Sequence, residues 1–246
     1  MTDLLVNELF GPTFQGEGPS LGNLCGFLRL AFCNQKCVFC DSVHSWGYKE
    51  ELIKGHNYVS SPYDRNKEVK DMPIDQIVDY FREMNPPMLV ITGGEPMLQS
   101  SKLPELIAAL INEVPFLARI EIETAGTIWD KELKGFPFVY FNVSPKLENS
   151  GNPKELRYKP DVLRNFDRTE RAIFKFVVKD DQDLDEVQEI VDEVQIHESK
   201  IYIMPEGITG DAINGRLQEL AEKVIARRWN LTTRLHVLLW GTKRGV

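Results

Sequence analysis

Apolar residues along this chain fall into short runs rich in β-branched and aromatic side chains, each closed by Gly, Pro or a polar residue. Seven such runs predict strands: "CGFLRLAF" (25–32), "MLVITGG" (88–94), "ARIEIETAG" (118–126), "FVYFNVSP" (138–145), "AIFKFVVK" (172–179), "KIYIMPEG" (200–207) and "RLHVLLWG" (234–241). Between them the apolar spacing changes to three and four. Pro73 with Ile74, Ile77, Val78 and Phe81 predicts one amphipathic helix, and Leu184, Val187, Ile190, Val191 and Val194 a second. A third runs from about Asp211 through Leu217, Leu220, Val224 and Ile225. Strands and helices alternating from end to end predict a parallel sheet covered by helices, closed into an open or complete β/α barrel. Residues 43–71 break the pattern. They are polar, studded with aromatics and without period, and are read as an insertion over one end of the barrel, either a surface loop or a substrate lid.

Composition narrows the class. At 246 residues the chain fits one domain spanning 1–246, and its 42% hydrophobic and 27% charged content is that of a folded protein. A net charge of -8 argues against a general nucleic-acid binder. The amino-terminal stretch has no basic region leading into an apolar one, and no run approaches a membrane span. The expectation is a cytoplasmic enzyme with no membrane or nucleic-acid partner, whose four cysteines are metal ligands or core residues rather than disulfides.

Three of those cysteines lie in "FCNQKCVFCD": Cys33, Cys37 and Cys40, spaced Cys-x3-Cys-x2-Cys, directly after the first predicted strand. A four-iron, four-sulfur (4Fe-4S) cluster normally takes four thiolates, so three leave one iron open to bind a cofactor or substrate. Zinc with Cys25 as fourth ligand is the alternative, but only Cys37 and Cys40 form the close pair that structural zinc sites use twice. Cys25, inside a predicted strand, reads as a small buried hydrophobe. The cysteine spacing resembles that of the radical S-adenosylmethionine (SAM) superfamily. That resemblance implies SAM bound to the open iron through its methionine amino and carboxylate groups, and a 5'-deoxyadenosyl radical formed by its reductive cleavage.

In a β/α barrel the chemistry gathers where strands end, and those positions here are polar: Thr92, Gly94 and Glu95; Glu123 and Thr124; Ser144, Pro145 and Lys146; Met204, Pro205, Glu206 and Gly207. "TGGEP" suits a turn whose bare backbone approaches a ligand while Glu95 accepts from an ammonium group; capping the next helix is the other use of such a Glu. "FQGEGP" (14–19) is glycine-rich but lacks the Lys-Ser or Lys-Thr of a phosphate loop, and Gln15 and Glu17 can instead read the edge of a planar heterocycle. Arg29 interrupts an apolar run, so it forms an internal ion pair or binds a substrate carboxylate. His236 poses the same choice between core and ligand.

Taken with "FLRLAFCNQKCVFCDS", "ETAGT", "SPK", "KFVVK", "MPEG" and "RLHVLLWGTKRGV", these segments resemble the 7-carboxy-7-deazaguanine synthase family over nearly the whole chain. The resemblance implies an incomplete parallel β/α barrel of radical SAM type acting as a homodimer. It implies a carbon–nitrogen lyase of queuosine biosynthesis that converts 6-carboxy-5,6,7,8-tetrahydropterin to 7-carboxy-7-deazaguanine with loss of ammonia, fed by a flavodoxin- or ferredoxin-type electron donor. Cys33, Cys37 and Cys40 would hold the cluster. Phe39, Asp41, Gly94, Glu95, Ser144, Pro145, Lys146 and the "MPEG" residues Met204, Pro205, Glu206 and Gly207 would meet SAM. Phe14, Gln15, Gly16, Glu17, Arg29, Thr92 and His236 would meet substrate, and Ser42 would ligate magnesium. An activating enzyme that places a glycyl radical on a protein partner shares the cysteines and "TGGEP" and is the competing enzyme reading.

Overall fold

The computed structural model describes residues 3–246. Among these, one nine-stranded sheet runs in the order β3-β1-β2-β4-β5-β6-β7-β8-β9. The strands are β1 (Asp3–Phe14), β2 (Leu24–Leu30), β3 (Lys70–Pro73), β4 (Met88–Gly93), β5 (Arg119–Thr124), β6 (Val139–Val143), β7 (Ala172–Val178), β8 (Ile201–Pro205) and β9 (Asn230–Leu231). From β2 through β9 every pairing is parallel, whereas β1 pairs antiparallel with both β2 and β3. The outer strands β3 and β9 do not meet, so the barrel is incomplete.

Alternation along the parallel strands sorts the side chains, because successive residues of a strand point to opposite faces. Leu28 and Leu30, Leu89 and Ile91, Ile120 and Ile122, Phe141 and Val143, Phe174 and Phe176, Ile201 and Ile203 belong to one continuous buried core. The helices Ile74–Met84, Leu103–Glu113, Pro160–Asp167, Asp181–Val194 and Gly210–Ala226 bring their apolar faces to it. The intervening residues Arg29, Thr92, Glu121, Glu123, Asn142 and Lys175 take the opposite face. That face is therefore polar. Near the start of β2 and β4, Cys25, Phe27, Met88 and Val90 form a smaller apolar cluster with Phe10 against it. Cys25 is thus the buried hydrophobe its position implied.

Three findings depart from the sequence pattern. "RLHVLLWG" is a helix, Leu235–Trp240, not a strand; a short apolar run carries no period that separates the two. The seventh parallel strand is the two-residue β9 just before it. The twelve-residue β1 escaped prediction because Asn7, Glu8 and the Gly11-Pro12 pair interrupt its alternation, and the pairing with β2 shifts register at two points. Glu8 is left opposite Arg29.

Segment 43–71 lies against the cysteine loop. Its Val43, Trp46 and Ile53 are buried together, with Cys33 and Cys40 packed on them. Backbone bonds from Phe32 N to Ser45 O (2.7 Å) and from Asn57 N to Val38 O (2.7 Å) tie it to both ends of that loop.

Aromatic packing anchors the middle of the core: Phe141 lies 5.2 Å from Phe166 and 6.0 Å from Trp129, ring centroid to centroid. Phe141→Ala is expected to lower unfolding free energy by about 3–5 kcal/mol in equilibrium urea titrations. A loss below ~1 kcal/mol would show that this ring does not hold sheet to helices.

Candidate active site

The cysteine loop leaves β2 through Phe32, whose backbone is left-handed at φ 74°. Such a bend in a residue with a side chain is strained. Tyr48, edge-on at 5.7 Å, and the Arg65 guanidinium, 5.3 Å above the ring, hold Phe32 there. The end of β4 fits against this bend only because it carries two glycines. A Cβ on Gly93, at φ 136°, would stand 2.1 Å from Leu30 O, and one on Gly94 would stand 2.0 Å from Phe32 O. With neither present, Gly94 N donates to Leu30 O at 3.1 Å and Glu95 N to Phe32 O at 2.8 Å. "TGGE" is the seam that fixes the cysteine loop to the sheet.

Cys33, Cys37 and Cys40 all line one cavity of about 620 Å³ at this seam. Burial pushes all three thiols up, most strongly Cys33, and their mutual repulsion as thiolates adds to the rise at Cys33 and Cys40. Sulfurs this close and this buried suit a soft polycation, which removes both penalties. Nitrogen donors already point at them, from Asn152 Nδ2 to Cys37 at 3.2 Å and from Trp46 Nε1 to Cys40 at 3.4 Å. Gln35 Nε2 is buried without any protein acceptor. The donor set fits an iron–sulfur cluster with acceptor sulfides of its own.

Most of the other predicted residues line the same cavity: Phe14, Gln15, Gly16, Glu17, Arg29, Phe39, Asp41, Ser42, Thr92, Gly94, Ser144, Lys146, Met204, Glu206, Gly207 and His236. Glu95, Pro145 and Pro205 are not among its lining residues. Glu95 is fully buried and accepts from Met97 N (3.0 Å), Thr124 Oγ1 (2.7 Å) and Ala125 N (2.7 Å). Its carboxylate caps the next helix turn and braces the end of β5. Pro145 and Pro205 shape strand ends.

The polar face of the sheet forms a charge network. Glu121 is fully buried and takes hydrogen bonds from Asn142 Nδ2 (2.8 Å), Arg119 Nε (2.7 Å), Gln15 Nε2 (3.3 Å) and Ser20 Oγ. Glu123 accepts from Thr92 Oγ1 (2.7 Å) and Gln15 Nε2 (3.2 Å). Glu17 pairs with Lys175, and with Arg234 Nε at 3.3 Å. Burial opposes the charges, but attraction wins at both partners: Lys175 and Arg234 hold the Glu17 carboxyl well below its usual range, and Glu17 and Glu123 raise Lys175. Burial lowers His236 to about 4, the nearby Glu17 only partly opposing it. Gly16 makes room for this imidazole, since a Cβ there would lie 2.1 Å from His236 Nδ1.

Arg29 forms the internal ion pair, 3.1 Å from Glu8, while still lining the cavity. Burial pulls the Glu8 carboxyl up, but the His44 hydrogen bond and the charges of Arg29 and Arg244 outweigh it and hold the group at about 2. Ser42 Oγ accepts from Arg29 Nη1 at 3.0 Å and donates to Asp41 Oδ1 at 2.9 Å. One lone pair of the Ser42 hydroxyl is thus engaged by a guanidinium and the other is left for a further partner.

Sequence reasoning missed Lys175, Arg234, Glu8 and Tyr58, all of which line the cavity. Lys175 carries the signal that exposed Arg29, a charge inside an apolar strand. Arg234 reaches Glu17, Asp41 and Gly207 O, joining the first loop, the cysteine loop and the end of β8. Nothing local to its sequence marks that reach. Tyr58, from segment 43–71, donates to Glu206, which also pairs with Arg216.

Comparison with known proteins places this geometry. The Radical SAM superfamily model matches residues 28–173. A 7-carboxy-7-deazaguanine synthase of Hyperthermus butylicus is 33% identical, the match covering 97% of this chain and 93% of the relative. One from Pyrobaculum aerophilum is 28% identical, covering 98% and 96%. The crystal structure of QueE from Escherichia coli superposes with a TM-score of 0.69 at 24% identity over 95% of both chains, a likeness of fold. Sequence match, sheet order and cysteine loop agree: the chain belongs to the radical SAM superfamily and, within it, to the 7-carboxy-7-deazaguanine synthases.

Proposed function

We infer that this protein is a radical SAM lyase converting 6-carboxy-5,6,7,8-tetrahydropterin to 7-carboxy-7-deazaguanine with release of ammonia, with a 4Fe-4S cluster and SAM as cofactors. The observation that carries this reading is the chain-wide match to synthases of that name, on a cavity that joins three cysteines to a polar sheet face. No feature of the site favours the glycyl-radical activating enzyme. Cys33, Cys37 and Cys40 would hold the cluster, whose chemistry would be the one-electron reductive cleavage of SAM.

The chain's own residues bind, orient and seclude. The Gly94 backbone, Phe39, Ser144, Lys146 and the Met204 to Gly207 segment surround SAM. Lys146 Nζ donates to Ser144 Oγ at 2.9 Å, which places an ammonium and a hydroxyl together for a ribose or a carboxylate. Arg29 faces the substrate carboxylate, and Gln15, Glu17, Thr92 and Glu123 offer donors and acceptors to the pterin edge. Glu17 ionised and Lys175 charged keep those roles fixed through neutral pH. His236, neutral there, presents an uncharged imidazole to the substrate. Segment 43–71 acts as a cover: Trp46 shields the cluster side, and Tyr58 closes onto Glu206. Ser42 would offer magnesium one hydroxyl oxygen, with the remaining positions filled by substrate.

We also place the enzyme in the cytoplasm, served by a flavodoxin- or ferredoxin-type donor; none of its four cysteines is joined in a disulfide among the described residues. Among the described residues no helix is long and apolar enough to cross a membrane. A homodimer is supported by exposed apolar side chains around the Phe14–Trp240 stack, notably Leu24, paired with Phe14 across β1 and β2, and Leu239.

The function is tested by anaerobic incubation of reconstituted protein with carboxytetrahydropterin, SAM and a reductant. The deazapurine should accumulate, and Cys37→Ala should abolish both product and SAM cleavage; turnover by that variant near the wild-type rate refutes the assignment. His236 generates a pH prediction with a definite sign. Its folded value of about 4 lies below the ordinary 6.5, so the unfolded chain binds the proton more readily and stability falls as pH drops from about 6.5 to 4. His236→Gln should flatten that part of the stability curve in thermal unfolding, and an unchanged slope would contradict the buried neutral imidazole. Analytical ultracentrifugation at micromolar concentration should show a dimer. A monomer there removes the dimer from the account.

A further inference from the structure

Each cysteine of the triad faces one nitrogen donor. Asn152 Nδ2 stands 3.2 Å from Cys37 Sγ, Trp46 Nε1 3.4 Å from Cys40 Sγ, and the Gln35 backbone nitrogen 3.4 Å from Cys33 Sγ. The donors come from three separate places: the turn between two of the ligands, segment 43–71 and the loop after β6. Their orientation is not free. Asn152 Oδ1 accepts from Lys36 N at 2.8 Å, which turns the amide nitrogen toward the sulfur. The Trp46 indole can only donate, and it is 4% exposed. Gln35, at 2% exposure, lines the cavity with its Nε2 lacking any protein partner. A buried donor left unpaired loses its hydration without compensation, so this amide awaits an acceptor from outside the described residues. The inorganic sulfides of a cluster are acceptors of that kind.

We propose that Asn152, Trp46 and Gln35 set the reduction potential of the cluster, raising it above what three thiolates alone would give. The inference rests on the cluster reading under the proposed function. Reduction brings one electron from a one-electron donor into the cluster, with no bond made or broken, and that electron's charge is shared with the sulfurs. Hydrogen bonds to a more negative acceptor are stronger, so N–H donors stabilise the reduced form more than the oxidised one. Cys33 and Cys40 pack against the apolar Val43, Trp46 and Ile53, which disfavour added negative charge. The collar of donors offsets this and keeps the cluster within reach of its electron source.

The test is a potentiometric titration followed by electron paramagnetic resonance, on wild-type protein and three variants reconstituted without air. Asn152→Asp keeps the acceptor for Lys36 but replaces the donor to Cys37 with a carboxylate oxygen. Trp46→Phe keeps most of the ring and removes the N–H. Gln35→Met keeps length without an amide. Asn152→Asp and Trp46→Phe should each shift the midpoint to more negative potential, lowering the ratio of reduced to oxidised cluster at fixed potential by about tenfold, and Gln35→Met by less. Unshifted potentials in variants with full iron content overturn the proposal, and so does loss of the cluster from all three, which would make these side chains purely structural. A wild-type protein that holds no iron–sulfur cluster would instead sink the functional reading beneath it.

Discussion

Everything at the mouth of this barrel is arranged around three sulfurs that are buried and mutually repulsive. As thiolates they repel one another in a site partly withdrawn from water; as thiols they waste a set of directed N–H donors. A cationic cluster is the group that resolves both. The two-glycine end of β4 lets the cysteine loop sit on the sheet, Phe32 turns the chain into that loop, and segment 43–71 packs its aromatic residues over the outside. Remove the need to hold a cluster, and neither the strained Phe32 nor the close approach at Gly94 has a purpose.

The rest of the cavity is a problem in charge. Acidic side chains on the inward face, Glu17, Glu121 and Glu123, would be prohibitively costly to bury alone. Each is answered: Glu121 by four donors, Glu17 by Lys175 and Arg234, Glu123 by Thr92 and Gln15. Because the partners come from β7, the first loop and the C-terminal segment, the network also fixes how those pieces meet. A pterin, with its row of alternating donors and acceptors, matches such a face better than an apolar or a polyanionic ligand does. Burial keeps His236 neutral near pH 7, with Glu17 only partly opposing it.

Much of this was legible in the sequence, for identifiable reasons. Six of the seven predicted strands were found because parallel strands carry dense apolar runs with polar residues at their ends, and the chemistry sits at those ends. The cysteine spacing marked the cluster without any fold at all. What failed depended on partners far along the chain. β1 is a strand because β2 and β3 flank it, not because of its own pattern, and the final apolar run is a helix because so short a stretch carries no period that separates the two. Glu95 looked like a ligand-binding carboxylate until its three donors were seen. Arg234 was invisible for the opposite reason: its sequence neighbourhood is ordinary, and only the fold brings Glu17, Asp41 and Gly207 to it.

With Cys33, Cys37 and Cys40 as its protein ligands, the cluster would keep one iron open for SAM to bind through its methionine end. Electron–nuclear double resonance on the reduced protein, with SAM carrying nitrogen-15 in its amino group, tests it most directly. The account predicts a nitrogen-15 hyperfine coupling to the cluster that is absent without SAM. A cluster that shows no coupling to the labelled amino group, with all four irons held by protein side chains, would contradict it.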